Sequence, residues 1–325
     1  MIVALMLLSN AVLLGTAGGR MLRRSTWTSR APRLGITVWL ALGVSALTSA
    51  VMAGVALTVP TVRVSADLAG LLQSCVMALR AQYASPFGAA AGATGAVLAL
   101  AVLARTGYCL AAALLQAVRE RAGHREVLDL VGRADAERGV VVLDHDEAAV
   151  YCLPGRHRRT VVTTGALAAL DDAQLAAVLA HERAHLAERH DLMLAWTAAL
   201  ARAFPRIPLF RDAAVEVARL VELRADDVAA VGTDRLTVAE ALLAVATGRT
   251  PAVALAAGGS TAAQRVHRLL APHRPLSRAR IAAGSLTAAV ALAVPVLVLG
   301  GPAAVATQLN YCPDGTPQAA VTTMR

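Results

Sequence analysis

The sequence predicts an α+β fold: a mainly helical membrane protein with four transmembrane helices and one further domain holding a small antiparallel sheet. Three observations predict it. The 325 residues are 57% hydrophobic and 16% charged, with a mean hydropathy of +0.57, far from the charge-rich balance of a soluble domain. Four stretches are uncharged over the roughly 20 residues that a helix needs to cross a bilayer. Between the third and fourth, short β-branched runs give way to helical periodicity. All 31 basic residues are arginine and the formal charge is +9, a balance that also suits nucleic-acid partners. Much of that arginine flanks the apolar stretches, where the positive-inside rule places it, so the expected partner is the lipid bilayer, with no direct nucleic-acid binding.

The spans are Met1 to Gly19, Leu34 to Val62, Ala81 to Ala104, which runs on past Arg105 to Val118, and Ile281 to Tyr311. The first lacks the basic n-region of a signal peptide and reads as an uncleaved span. The loop after it holds Arg20, Arg23, Arg24, Arg30 and Arg33 with no acid, whereas the loop from Arg63 to Arg80 holds two arginines and Asp67. That asymmetry places the first loop in the cytoplasm, and alternation places residues 119–280 there too, with both termini outside. The expected division is 1–118 (three spans), 119–280 (cytoplasmic domain) and 281–325 (fourth span and short outer tail) in the cell membrane. Cys75 and Cys312 both fall outside, either bridged or free.

Within 119–280, Glu120 to Ala136 reads as helix prolonging the third span. Gly139 to Leu143, Ala148 to Leu153 and Arg159 to Thr164 read as strands of a small antiparallel sheet, separated by Asp144-His145-Asp146 and Pro154-Gly155-Arg156. Asp171, with Gln174 three residues on, caps a helix running to about Leu200. A second helix runs from near Asp212 to Gly232, and Thr237 with Glu240 opens a third that ends near Gly248. Ala256 to Thr261 reads as a flexible link.

The first of these helices carries His181-Glu182-Arg183-Ala184-His185. Positions i and i+4 share a helix face, so His181 and His185 can present imidazoles to one metal ion with Glu182 beside them. A catalytic zinc takes three protein ligands and leaves a place for water. Glu222, 37 residues after His185, is the candidate third ligand, and Asp226 one turn later is a candidate partner for a ligand imidazole. One Zn2+ ion held by His181, His185 and Glu222, with Glu182 as general base, builds amide hydrolysis. The blander alternative for Glu222 and Asp226 is a solvated face paired with Arg219 and Arg224. His190, His267, His273 and Arg265 read as surface or interhelical residues. A non-proteolytic signalling or scaffold protein with a zincin-like shell is the competing class, and it has no use for Glu182.

His181 to His185 followed by Glu222-Leu223-Arg224-Ala225-Asp226 resembles the gluzincin pattern of integral-membrane zinc metallopeptidases, shared by HtpX-type proteases and BlaR/MecR-type regulatory peptidases. Leu153-Pro154-Gly155, Val161 to Leu167, Leu175 to Ala180 and the three-plus-one arrangement of spans resemble the BlaR/MecR type. The resemblance implies a cytoplasmic zincin-like metalloprotease domain, with His181, His185 and Glu222 as ligands, Glu182 as base and Asp226 as supporting acid. It implies as substrate a protein or peptide: a BlaI/MecI-like repressor, the chain itself or misfolded membrane proteins. Two departures stand out. His190 occupies the place nine residues after the first His where relatives carry Asp, with Asp191 next, and only Asn310 to Arg325 follows the last span, in place of a penicillin-binding sensor.

Overall fold

The computed structural model describes residues 1–58, 76–77, 80, 83–155, 159–247, 259–272 and 274–308. The possible Cys75–Cys312 pairing lies outside them, as do residues 256–258 of the expected Ala256–Thr261 link; Cys109 and Cys152 are free thiols. Among the described residues, four helices are long and apolar enough to cross a membrane: Ile2–Arg23, Pro32–Thr58, Pro86–Val131 and Arg278–Leu299. The first consists of α1 (Ile2–Leu13), a π-helical turn at Leu14–Gly18 and α2 (Gly19–Arg23); the second is α3 (Pro32–Thr58) and the third α4 (Pro86–Val131).

The chain divides into two compact units, residues 1–16, 41–105 and 287–325 in one, 17–40 and 106–286 in the other. In the first, α3 and α4 approach through glycines. A Cβ on Gly54 would stand 2.5 Å from the Gly95 carbonyl oxygen, so neither position admits a side chain at this spacing. Asn10 Nδ2 donates to Ser49 Oγ at 2.9 Å, tying α1 to α3 by a polar contact of the kind that serves where water is scarce. Val97, Leu98, Leu100 and Leu103 on α4 are exposed, an apolar face suited to lipid.

In the second unit, α4 continues to Val131, longer than the expected span, and the chain then enters a four-stranded sheet of order β1-β2-β4-β3. The strands are β1 (Gly132–Asp135), β2 (Val140–Leu143), β3 (Val150–Leu153) and β4 (Arg159–Thr163). Two expectations are corrected here. The sheet is mixed, not antiparallel, because β2 and β4 run parallel, with Val142 opposite Val162. Gly132–Asp135, expected to be helical, is instead a strand turned antiparallel onto β2 through Gly139, whose φ of 66° suits glycine. Side chains alternate as the pleat requires: Val140, Val142, Val150 and Val162 pack with Leu175 and Leu179, while Val141, Leu153 and Val161 pack on Leu128 of α4. Each fully buried aliphatic side chain contributes about 1.5–3 kcal/mol, so both faces of this small sheet are anchored.

After the short α5 (Thr164–Ala169), the Asp171–Gln174 capping box opens α6 (Asp172–Ala187) as expected. The helix stops well before Leu200. Arg189 adopts a left-handed conformation (φ 56°), and α7 (His190–Ala203) starts in a new direction. Then follow α8 (Pro208–Gly232), which begins earlier than expected because Pro208 occupies its first turn, and α9 (Arg235–Thr247). The start of α9 is capped by Asp234, whose carboxylate accepts from the Leu236 and Thr237 N–H groups, and not by the expected Thr237–Glu240 box. A helix absent from the sequence reading, α10 (Gly259–Leu270), packs on α9 and takes in Gly259 to Thr261 of the expected link, and α11 (Arg278–Gln308) is the last described element.

Candidate metal centre and active site

The site is built where α6 crosses α8, and alanine makes the crossing close. Ala177 and Ala184 on α6 and Ala225 and Ala229 on α8 are all buried, so the helices meet without intervening bulk. The turns interleaved with those alanines carry His181 and His185 on one side and Glu222 and Asp226 on the other. One ligand atom from each of His181, His185 and Glu222 lies within 4.8 Å of the others.

The separations suit a small cation. His181 Nε2 and His185 Nε2 stand 3.1 Å apart, and each is 3.6 Å from a different oxygen of Glu222. Ligands about 2.0–2.1 Å from a tetrahedral zinc stand about 3.3–3.4 Å from one another, a value these distances bracket. The remaining ring nitrogens are also engaged. His181 Nδ1 lies 3.0 Å from Asp226 Oδ1, the contact expected of Asp226, and His185 Nδ1 lies 2.9 Å from His190 Nδ1. Hydrogen bonds at Nδ1 set the tautomer that leaves Nε2 free for a metal.

Charge is distributed unevenly over the cluster. Burial disfavours the His181 cation, but Asp226 and Glu222 outweigh it and raise the group to about 9, whereas burial holds His185 down to about 4. Two bare Nε2 lone pairs 3.1 Å apart would repel, so the contact calls for a proton or a cation between them. Burial pushes Asp226 up as well, yet the Arg265 guanidinium and His181 hold it down at about 2. Burial raises Glu182 above the usual carboxylate range, outweighing His181 and Cys152.

Arg265 and His190 are where the sequence reading fell short. Arg265 is no interhelical bystander: Nε and Nη2 donate to both oxygens of Asp226 at 2.8 and 2.6 Å, and Nη1 lies 3.0 Å from Glu222 Oε2. It comes from α10, for which no element had been assigned, so no helical face was available on which to place it. His190 is buried, and its contact with His185 depends on the turn at Arg189 between α6 and α7. The blander reading of the acidic pair also fails: Arg219 is engaged by Glu216 and Ser29, and Arg224 grips both oxygens of Glu188. Asp191 lies apart from the cluster, paired with Arg121 at 3.2 Å, and His267 is exposed; His273 lies outside the described residues.

The sheet reaches the site through β3. Glu182 faces both the thiol and the backbone N–H of Cys152, and burial together with Glu182 pushes that thiol up to about 12, so it stays a neutral donor. The expected substrate edge, Arg159 to Thr164, is corrected by the strand order: β4 is interior, hydrogen-bonded on both sides, and β3 is the outer strand. A cavity of about 300 Å³ adjoins His181, Glu182, Glu222 and Arg265, with an apolar wall that includes Val150, Val178 and Leu242.

Residues 114–215 match the model of peptidase family M48. A protease HtpX homolog from Acidiphilium cryptum (strain JF-5) is 44% identical over 71 residues, covering 21% of this chain and 24% of the relative. The similarity thus spans about a quarter of that relative's length. The family match includes His181, Glu182 and His185 and ends before Glu222, Asp226 and Arg265. No solved structure matches the chain.

Proposed function

We propose that this chain is a membrane-embedded zinc endopeptidase with its active site on the cytoplasmic side. The observation that carries the reading is the meeting of His181, His185 and Glu222 within 4.8 Å, next to Glu182, in a chain whose motif-bearing stretch matches a peptidase family. His181, His185 and Glu222 would hold one ion, with Asp226 and His190 fixing the two imidazoles. Bound there, zinc supplies Lewis acidity to water and to the scissile carbonyl.

The remaining chemistry belongs to the protein. Glu182 faces the Cys152 N–H and thiol, and burial raises its proton affinity above that of an exposed carboxylate. It takes a proton from the attacking water and delivers it to the departing amine nitrogen. The outer edge of β3 receives the substrate main chain as an added strand, and the adjoining apolar cavity takes a side chain. Substrate is therefore a protein or peptide segment able to extend; a BlaI/MecI-like repressor is the finer candidate, supported by the sequence resemblance alone.

Metal analysis and a cleavage assay on paired variants test this. Ala at His181, His185 or Glu222 should strip zinc and activity together, whereas Glu182→Gln should keep zinc and lose activity by at least about 100-fold. Normal cleavage by the Glu182→Gln protein would sink the mechanism.

A further inference from the structure

A second feature of residues 17–40 and 106–286 has no part in peptide hydrolysis. A cleft of about 910 Å³ opens beside α10, lined by seven arginines and a single glutamate. Its wall joins two stretches far apart in sequence: residues 23–30, with Arg23 and Arg24 at the end of α2 and Arg30 just before α3, and Arg274 just before α11. Arg268 and His267 of α10 close it. All of these residues belong to one unit.

Neighbouring acids do not neutralise the cleft. Glu216 engages Arg219, Asp212 stands 3.6 Å from Arg23, and Asp227 pairs with Arg268 at 2.8 Å and approaches Arg235 at 3.9 Å. Counting all three carboxylates against seven arginines leaves an excess of four positive charges. Arg24, Arg30 and Arg274 are exposed and have no acidic partner among the described residues. Arginines that serve only to orient spans gain nothing from being gathered on one wall, where like charges repel. A multivalent anion offsets that repulsion, and guanidinium forks match phosphate oxygens in pairs.

We infer that this cleft binds a phosphate anion, and that the anion is the headgroup of an anionic phospholipid. The helix ends argue for the lipid source: α2, α3 and α11 all belong to the helices apolar enough to cross a membrane, and the cleft arginines lie at or just outside the termini where those apolar runs stop. Basic pockets between such helix ends, on the side rich in positive charge, are where anionic headgroups collect. A soluble phosphate ester offers the same chemistry from the other source.

The test uses the full-length protein in neutral detergent, with lipid retention read by native mass spectrometry. Wild type should retain phosphatidylglycerol in preference to phosphatidylcholine. The triple variant Arg24→Gln, Arg30→Gln, Arg274→Gln should weaken that retention on the order of 100-fold, and the matching triple Lys variant should recover most of it. Should the triple Gln protein not fold, the three single Gln variants, each expected to lose about five-fold, carry the comparison. Resistance of the retained lipid to millimolar glycerol phosphate supports the headgroup, and ready displacement assigns the cleft to the soluble ester instead. Equal retention by wild type and the Gln variants, or no preference for the anionic lipid, overturns the inference.

Discussion

Asp226 is fully buried, and a buried carboxylate is tolerable only with its charge matched; Arg265 does that while also reaching Glu222. One guanidinium thus holds both Glu222 and Asp226, sharing with His181 an oxygen of each. Arg265→Ala should cost about 3–5 kcal/mol, because it strands the Asp226 charge. Arg265→Lys should fail to restore zinc content, since a point charge cannot grip two oxygens of one acid and one of another. A Lys variant with wild-type melting and wild-type zinc would reduce Arg265 to a mere counter-charge. His190 touches His185 Nδ1 at 2.9 Å, so it would act on a bound metal at one remove. His190→Ala should weaken zinc affinity by about 10 to 100-fold in a chelator competition, with Glu182 chemistry otherwise intact; unchanged affinity would leave His190 a packing residue.

At the scale of elements, the decisive features are a helix that breaks and a strand that lies at an edge. The left-handed Arg189 separates α6 from α7, and the Arg224–Glu188 fork on α8 secures the residue beside it, so the turn that returns His190 to His185 is held from two sides. On the sheet, Thr163 N–H donates to Ala149 C=O, and with Tyr151 opposite Val161 this register makes alternate β3 residues face β4. Val150 and Cys152 then direct their backbone groups outward, toward the side on which Glu182 lies. Val150→Pro should therefore fold, keep zinc and cleave a protein substrate about ten-fold more slowly, the worth of one main-chain hydrogen bond. Val162→Pro instead removes a bond of the interior β2–β4 ladder and should lower the melting temperature, by roughly 3 kcal/mol of stability. Full cleavage by a folded Val150→Pro protein would send the search for the substrate strand elsewhere.

For the molecule as a whole, the arginine asymmetry sets the orientation to be tested. Reporters fused after Arg33 and after Leu270 should read as cytoplasmic, and one at Arg325 as external. An external reading after Leu270 would reverse the orientation, remove cytoplasmic repressors as substrates and place the basic cleft at the leaflet poorer in anionic lipid.

The sequence by itself determined the parts whose information is local. Uncharged runs marked the long apolar helices, the Asp171–Gln174 box marked the start of α6, and the i, i+4 spacing of His181 and His185 and of Glu222 and Asp226 put the four side chains on two helix faces. Tertiary structure decided everything that depends on residues far apart in the chain. That β2 and β4 run parallel, that β3 and not β4 is outermost, that Arg189 reverses its helix, and that Arg265 arrives from α10 at Asp226 are each settled by packing between segments tens of residues apart. Helix periodicity and capping are written in neighbouring residues, whereas strand order and the partner of a buried charge are chosen by which surfaces exclude water together, and no spacing within a single element records that choice.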